Sequence, residues 1–140
     1  MKALIDTNVL LDVLTEREPF YKNSAVVWSL TEKRVIDGCI CAISVNNIYY
    51  ISRKLTDKKT AGSLVDKVLK DFNVIAVTHE ILKLARTKEG DYEDLIQYFS
   101  ALQNGCDYII TRDPKGFPKK GLEVISPDRF IEKFVLPAGP

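Results

Sequence analysis

Residues 3–8, which read ALIDTN, organise the whole chain, because an apolar strand ends there in a carboxylate, an alcohol and an amide. Apolar side chains then recur at helical spacing over residues 9–14, so a strand passes into a helix across Asp6. In parallel α/β sheets, ligands bind where the strands end at their carboxyl edge. Asp6 is therefore either a site acid or an ordinary helix cap, and only acids elsewhere in the chain can decide between the two.

The alternation of strand and helix continues along the chain. Further apolar strands are predicted at residues 39–43, 74–77, 108–111 and 122–125. Helical patterns fill most of the intervening segments, and Gly105 is expected to end one of these helices in a left-handed conformation. Strands that alternate with helices predict an α/β fold of three layers, α/β/α, with a central, mostly parallel sheet.

Composition excludes several classes of protein. The 140 residues suit one domain, and 46% hydrophobic with 28% charged residues is ordinary for a soluble protein. A net charge of +1 means that a nucleic-acid ligand would need a local basic patch or bound cations. No apolar run approaches the ~20 residues of a membrane span. Acids at positions 6 and 12 interrupt the window of a signal peptide, so no membrane association is expected.

Three cysteines, Cys39, Cys41 and Cys106, are expected to be buried and reduced. A zinc site would need paired Cys and His ligands, and His79 is the sole histidine. We therefore expect a cytoplasmic protein without disulfides or zinc.

Further acids occupy positions comparable with that of Asp6. Asp113 follows the strand predicted at residues 108–111, while Asp91 and Asp94 fall in the first turn of a helix and share one face. Carboxylates at strand ends and helix starts can converge on one edge of a parallel sheet. Such a cluster of hard oxygen ligands repels itself unless a cation intervenes, and Mg²⁺ or Mn²⁺ is the expected ion.

Four segments together resemble the PIN-domain family, which includes the VapC-like ribonuclease toxins of bacterial toxin–antitoxin pairs. They are residues 4–10, 42–50, 91–97 and 108–113, and their order and separation match the family. The resemblance implies a single PIN-like nuclease domain over residues 1–135. A disordered tail is expected at residues 136–140, because chain termini are commonly poorly ordered. It also implies a divalent-metal-dependent endoribonuclease that hydrolyses RNA phosphodiester bonds, with a protein antitoxin as partner.

Matched position by position, the resemblance makes Asp6, Asp94 and Asp113 the catalytic and metal-binding acids. Asp91, close to Asp94, is either a further metal ligand or simply the N-cap of its helix. Asn8 and Thr111 match polar residues that support the first and last acids of the family.

The chain departs from the family at Asn47, where the family commonly has Glu. An amide offers a neutral oxygen to a metal or its waters, but it carries no charge and is no base. Asn47→Glu is therefore expected to tighten Mg²⁺ or Mn²⁺ binding. Asp91 and Glu93 are candidates to replace part of the missing charge. Glu93 is the weaker one, because its helical position turns it away from the face that Asp91 and Asp94 share. It is expected either to be solvated or to lie behind the direct ligands.

Arg112 and Lys115, beside or near Asp113, are the residues expected to bind the RNA backbone. A homodimer is also expected, because the aromatic residues exceed the needs of one small core and such patches usually mark interfaces. The aromatic residues concerned are Phe20, Tyr21, Trp28, Tyr49 and Tyr50, and burial in the core is the alternative for each of them.

Two other functions stay open. The amide at Asn47 keeps a catalytically weak PIN-like module in consideration, one that binds RNA or a protein partner. The other alternative makes Asp6 the nucleophile of a phosphatase or phosphoacceptor. Haloacid-dehalogenase-like enzymes need a second Asp two residues further on, however, and this chain has Asn8 there.

Overall fold

The computed structural model describes residues 1–135, in which five strands form one parallel sheet. The strands are β1 (Lys2–Ile5), β2 (Asp37–Cys41), β3 (Asn73–Ile75), β4 (Tyr108–Ile110) and β5 (Glu123–Ile125). Their order across the sheet is β3-β2-β1-β4-β5, and every neighbouring pair is parallel. The tail predicted at residues 136–140 lies outside the described residues.

Helices cover both faces of this sheet, which confirms the predicted three-layer α/β/α fold. They are α1 (Thr7–Leu14), α2 (Tyr21–Glu32), α3 (Ala42–Leu55), α4 (Lys58–Asp71), α5 (His79–Ala85), α6 (Tyr92–Gln103) and α7 (Pro127–Phe134). A 3₁₀ turn, Pro114–Gly116, follows β4. Across residues 1–135, no helix combines the length and the apolar character needed to cross a membrane.

The core is divided between the two faces of the sheet by the alternation of side chains along each strand. Ile5 and Ile110 pack on one face with residues of α1, α2, α3, α4 and α7. Leu4 and Ile109 pack on the other face with residues of α5 and α6. All four side chains are fully buried, as expected for a parallel sheet that is covered on both sides.

The start of α3 differs from the sequence-based expectation. The strand predicted at residues 39–43 ends at Cys41, and Ala42 already begins α3. Ser44 therefore lies inside the helix, where its fully buried hydroxyl accepts a hydrogen bond of 2.6 Å from Thr7 Oγ1. The left-handed Gly105 after α6 is confirmed, with φ of 68°.

Trp28 belongs to the core, so its predicted place in a dimer interface is wrong. Its side chain is 5% exposed and its ring packs edge-on against Phe72 with centroids 5.1 Å apart. Its Nε1 donates a hydrogen bond of 2.7 Å to Asp71 Oδ2, which satisfies the only polar atom of the indole. The three cysteines are buried and free, as expected.

The strand order reverses between β1 and β4, the two strands at the centre of the sheet. The crevice outside the carboxyl ends of the strands at such a switch point is the usual ligand site of an open α/β sheet. Asp6 follows β1 directly and Thr111 follows β4 directly. The backbone N–H of Asp6 donates to Ile110 O at 2.9 Å, so the two strand ends stay paired up to the crevice.

Candidate functional site

The carboxylate of Asp6 is buried in this crevice and held by two side chains. Gln97 Nε2 donates to Asp6 Oδ1 at 2.9 Å, and Thr111 Oγ1 donates to Asp6 Oδ2 at 2.7 Å. The side chain is 5% exposed. It makes no capping hydrogen bond to α1, although Asp6 occupies the N-cap position. The carboxylate is thus directed toward α6 and the end of β4, which excludes the ordinary cap as its role.

One hydroxyl connects Asp6 to Asp113. While Thr111 Oγ1 donates to Asp6, it also accepts a hydrogen bond of 3.2 Å from the backbone N–H of Asp113. Thr111 is fully buried, so its side chain fixes the spacing between the two acids. This contact gives Thr111 a supporting position of the kind expected from the sequence.

Asp94 and Asp113 face the same small space beside Gly116. A Cβ atom at Gly116 would lie 3.0 Å from Asp94 Oδ2 and 3.5 Å from Asp113 Oδ2. The shorter of these distances is too close for a comfortable contact. The absence of a side chain at Gly116 therefore leaves room between the two carboxylates.

Asp94 carries the clearest electrostatic signature of the site. Burial, followed by the charges of Asp6, Asp91, Glu93 and Asp113, raises its pKa to about 7. Ionised carboxylates at close range repel one another, and a bound cation stabilises them.

Asp91 lies at the exposed edge of the site and caps α6. Its Oδ1 accepts a hydrogen bond of 3.0 Å from the backbone N–H of Asp94, which helps to fix the first turn of the helix. Asp91 also borders an open cavity of about 700 Å³ together with other acids and one lysine. The cavity is lined by Asp91, Asp94, Asp113, Lys115, Gly116 and Phe117, among others.

Glu93 is half-buried beside Thr7, so the expectation that its side chain is solvated is wrong. Asn47 Nδ2 donates to Glu93 Oε1 at 3.0 Å, and Thr7 Oγ1 lies 3.5 Å from the same oxygen. Asn47, on the neighbouring helix α3, is thus the donor that holds the half-buried carboxylate of Glu93. Helical spacing within α6 alone does not show this, because the donor belongs to another part of the chain.

Arg112 contacts Asp12 and Phe20 and does not line the cavity. Its Nε lies 3.1 Å from Oδ2 of the buried Asp12, and its guanidinium stacks 4.5 Å from the ring centroid of Phe20. Burial raises the pKa of Asp12, while the charges of Arg112 and Arg17 lower it. These contacts fix Arg112 in place, and its role in RNA binding stays a prediction.

Asn8 accepts a hydrogen bond of 3.4 Å from the backbone N–H of Arg112. Asn8 therefore connects α1 to the segment after β4. The carboxylate of Asp6 is held by Gln97 and Thr111 instead. Gln97 was not anticipated from the sequence. Its position three residues after Asp94 places it on the same helical face, and that is the signal that points to it.

The donors assembled here are oxygen atoms, the kind that Mg²⁺ and Mn²⁺ prefer. Within residues 1–135, no three His, Cys, Asp or Glu side chains converge closely enough to ligate one ion directly. Mg²⁺ does not require such a set, because it usually binds one or two carboxylates and keeps several waters. The raised pKa of Asp94 and the open space at Gly116 both fit a hydrated divalent cation.

Comparison with known proteins supports the resemblance seen in the sequence. The family model described as PIN domain matches residues 2–115. Ribonuclease VapC1 of Aquifex aeolicus (strain VF5) is 29% identical over an alignment of 139 positions that covers 95% of this chain and 95% of that protein.

Two solved structures share the fold. A toxin–antitoxin complex from Klebsiella pneumoniae gives a TM-score of 0.67 at 20% identity, over 89% of this chain and 97% of that one. A DNA-bound VapBC complex from Salmonella typhimurium gives 0.66 at 16% identity, over 91% and 98%.

Proposed function

Because the chain belongs to the PIN-domain family, we propose that it is a divalent-metal-dependent endoribonuclease and the toxin of a toxin–antitoxin pair. The observation that carries the proposal is the meeting of Asp6, Asp94 and Asp113 at the switch point of the sheet, next to the open space at Gly116. The 29% identity to a ribonuclease over nearly the whole chain supports the same activity.

Asp6, Asp94 and Asp113 are proposed to hold Mg²⁺ or Mn²⁺ directly or through water bound to the ion, with Asp91 at the edge of the site. When bound, such an ion supplies a nucleophilic water at neutral pH and polarises the scissile phosphodiester. Gln97 and Thr111 hold both oxygens of the Asp6 carboxylate, so this acid is oriented before any ligand arrives. Such pre-orientation lowers the reorganisation needed during the reaction.

Lys115 is the proposed first contact for the RNA backbone, because it borders the same cavity as Asp94 and Asp113. A lysine ammonium offsets part of the repulsion between the acids and the phosphates of the substrate. Arg112 is proposed as a second contact beside Asp113. Because Nε of Arg112 is paired with Asp12, the two terminal nitrogens of the guanidinium are the ones proposed to bind phosphate.

A protein antitoxin is the proposed partner, on the basis of the shared fold with toxin–antitoxin complexes. We also place the protein in the cytoplasm, where its three free thiols would stay reduced.

The activity itself is tested by removing and restoring the metal. Protein treated with a chelator is expected to leave a labelled single-stranded RNA intact, and added Mg²⁺ or Mn²⁺ is expected to restore internal cleavage. Gel analysis of the 5′-labelled products reports the cut. RNA that is bound but never cut at any metal concentration would contradict the proposal and favour the binding module.

A homodimer is the second proposed assembly, formed through an exposed apolar face of α3. Tyr50 and Leu55 are 54% and 64% exposed on this helix, and Ile51 lies beside them. Sedimentation velocity at micromolar concentration is expected to show a dimer, and Leu55→Ser is expected to shift it toward monomer. A wild-type protein that sediments only as a monomer would contradict this assembly.

A further inference from the structure

We infer that Glu93 supplies, from α6, the fourth carboxylate that the chain lacks at Asn47 on α3, and that Asn47 is the residue that orients it. This inference rests on the proposed function, because it concerns the binding of the same divalent ion. It assigns a new role to both residues: Glu93 contributes the negative charge, and Asn47 contributes a hydrogen bond rather than a metal ligand.

The hydrogen bond between the two side chains fixes their relation. Asn47 Nδ2 is 3.0 Å from Glu93 Oε1, so the amide acts as a donor and the carboxylate as the acceptor. A carboxylate at position 47 would carry no such donor. The amide at this position is therefore explained by the acid that faces it from the neighbouring helix.

Thr7 reinforces the same placement from the first helix. Its hydroxyl lies 2.6 Å from Ser44 Oγ and 3.5 Å from Glu93 Oε1. Thr7 is the residue after Asp6, so Glu93 approaches the chain directly beside the first acid of the site. Asn47 and Thr7 both contact Oε1 of Glu93. The second oxygen of Glu93 has no hydrogen-bond partner among the described residues.

A buried amide next to Asp6 has one polar atom without a partner among the described residues. Gln97 is fully buried, and its Oε1 has no hydrogen-bond partner within residues 1–135, although its Nε2 is bound to Asp6. Gln97 follows Glu93 by four residues, so the two side chains emerge from the same face of α6. An unpaired buried oxygen costs free energy unless water or an ion satisfies it.

A purely structural role for Glu93 makes a different prediction. If the carboxylate served only to join α6 to α3, a neutral acceptor of the same shape would replace it without loss of metal binding. Glu93→Gln is that replacement, because the new amide oxygen can still accept from Asn47. The variant therefore removes the charge and keeps the hydrogen bond.

Mn²⁺ binding, measured by isothermal titration calorimetry without RNA, is the test. Glu93→Gln is expected to weaken Mn²⁺ binding by about tenfold to a hundredfold, the range seen when residues around a metal site are altered. Glu80→Gln is the matched control, because Glu80 is also the second residue of a helix, is exposed and lies outside the site. This control is expected to bind Mn²⁺ as the wild type does.

The double variant Asn47→Glu/Glu93→Gln returns the acid to α3 and is expected to recover most of the lost affinity. Asn47→Glu alone is expected to bring little gain, since it sets two carboxylates against each other where a hydrogen bond now stands. The structure thus restricts the benefit of Asn47→Glu to a chain in which Glu93 has lost its charge.

The outcomes separate the two proposals. A wild type that binds no Mn²⁺ would overturn the metal-dependent function itself. Equal Mn²⁺ affinity of the wild type and the Glu93→Gln variant would overturn the role of Glu93 alone, and so would a double variant that recovers nothing. Thermal denaturation in chelator confirms folding of each variant, and the melting temperature of Glu93→Gln is expected to match or exceed that of the wild type.

Discussion

Asp6→Asn is expected to reduce RNA cleavage by at least about a thousandfold, which corresponds to the several kcal/mol that a positioned metal supplies. The reason is the central place of this carboxylate between β1, β4 and α6, where it is held by Gln97 and Thr111. Loss of its charge removes a proposed metal ligand at the switch point of the sheet.

The fold should tolerate this exchange. The asparagine oxygen can still accept from Thr111, and rotation of the Gln97 amide presents its unpaired Oε1 to the new NH₂ group. Cleavage is measured from initial rates at saturating Mg²⁺, and melting temperature is measured on the same samples. Asp66→Asn on the exposed side of α4 is the control and should retain the wild-type rate. Full activity in Asp6→Asn would refute the assignment of Asp6 as a metal-binding acid. A lowered melting temperature would mean that the loss of activity comes from unfolding.

Asp94→Asn is expected to abolish cleavage and, at the same time, to stabilise the metal-free protein. The pKa of Asp94 is raised from 3.8 to about 7, first by burial and then by the charges of the neighbouring acids. Above pH 7 the folded protein must therefore keep a carboxylate ionised in an unfavourable place. Removal of that charge is expected to raise the free energy of unfolding by about 2–4 kcal/mol and the melting temperature by roughly 5 °C or more.

The raised pKa of Asp94 also determines how this gain in stability changes with pH. Between about pH 4 and pH 7 the unfolded chain has lost the Asp94 proton while the folded chain still holds it. The contribution of Asp94 to stability therefore declines as the pH rises through this interval and stays low above it. The advantage of Asp94→Asn, measured by thermal denaturation in chelator, should grow over the same interval. An advantage that is independent of pH would contradict the electrostatic origin.

Much of the fold and the principal acids could be predicted from local sequence. Strands such as Lys2–Ile5 are apolar on both faces, and polar residues follow the strand ends, so Asp6 and Asp113 indicate the carboxyl edge of the sheet. Asp94 was recognisable because its place in the first turn of a helix directs it to the same edge. These features depend on neighbours within one or two turns of chain.

The residues that hold the acids depend on partners far away in the chain. Gln97 and Asp6 are 91 residues apart, and Asn47 and Glu93 are 46 residues apart, so no local period reveals their hydrogen bonds. The same holds for Trp28, whose pairing with Asp71 spans 43 residues and moves an aromatic ring from a supposed interface into the core. Hydrogen bonds to residues distant in sequence determine the direction of such side chains, and helical spacing alone does not.

Anomalous diffraction from crystals of the protein soaked in Mn²⁺ is the sharpest test of the proposed metal site. We expect an ion between Asp6, Asp94 and Asp113, bound to their carboxylates directly or through a single water, and near the open space at Gly116. The same peak should be lost in crystals of Asp6→Asn. RNA cleavage by a protein whose crystals show no ion among these three carboxylates would refute the proposed site.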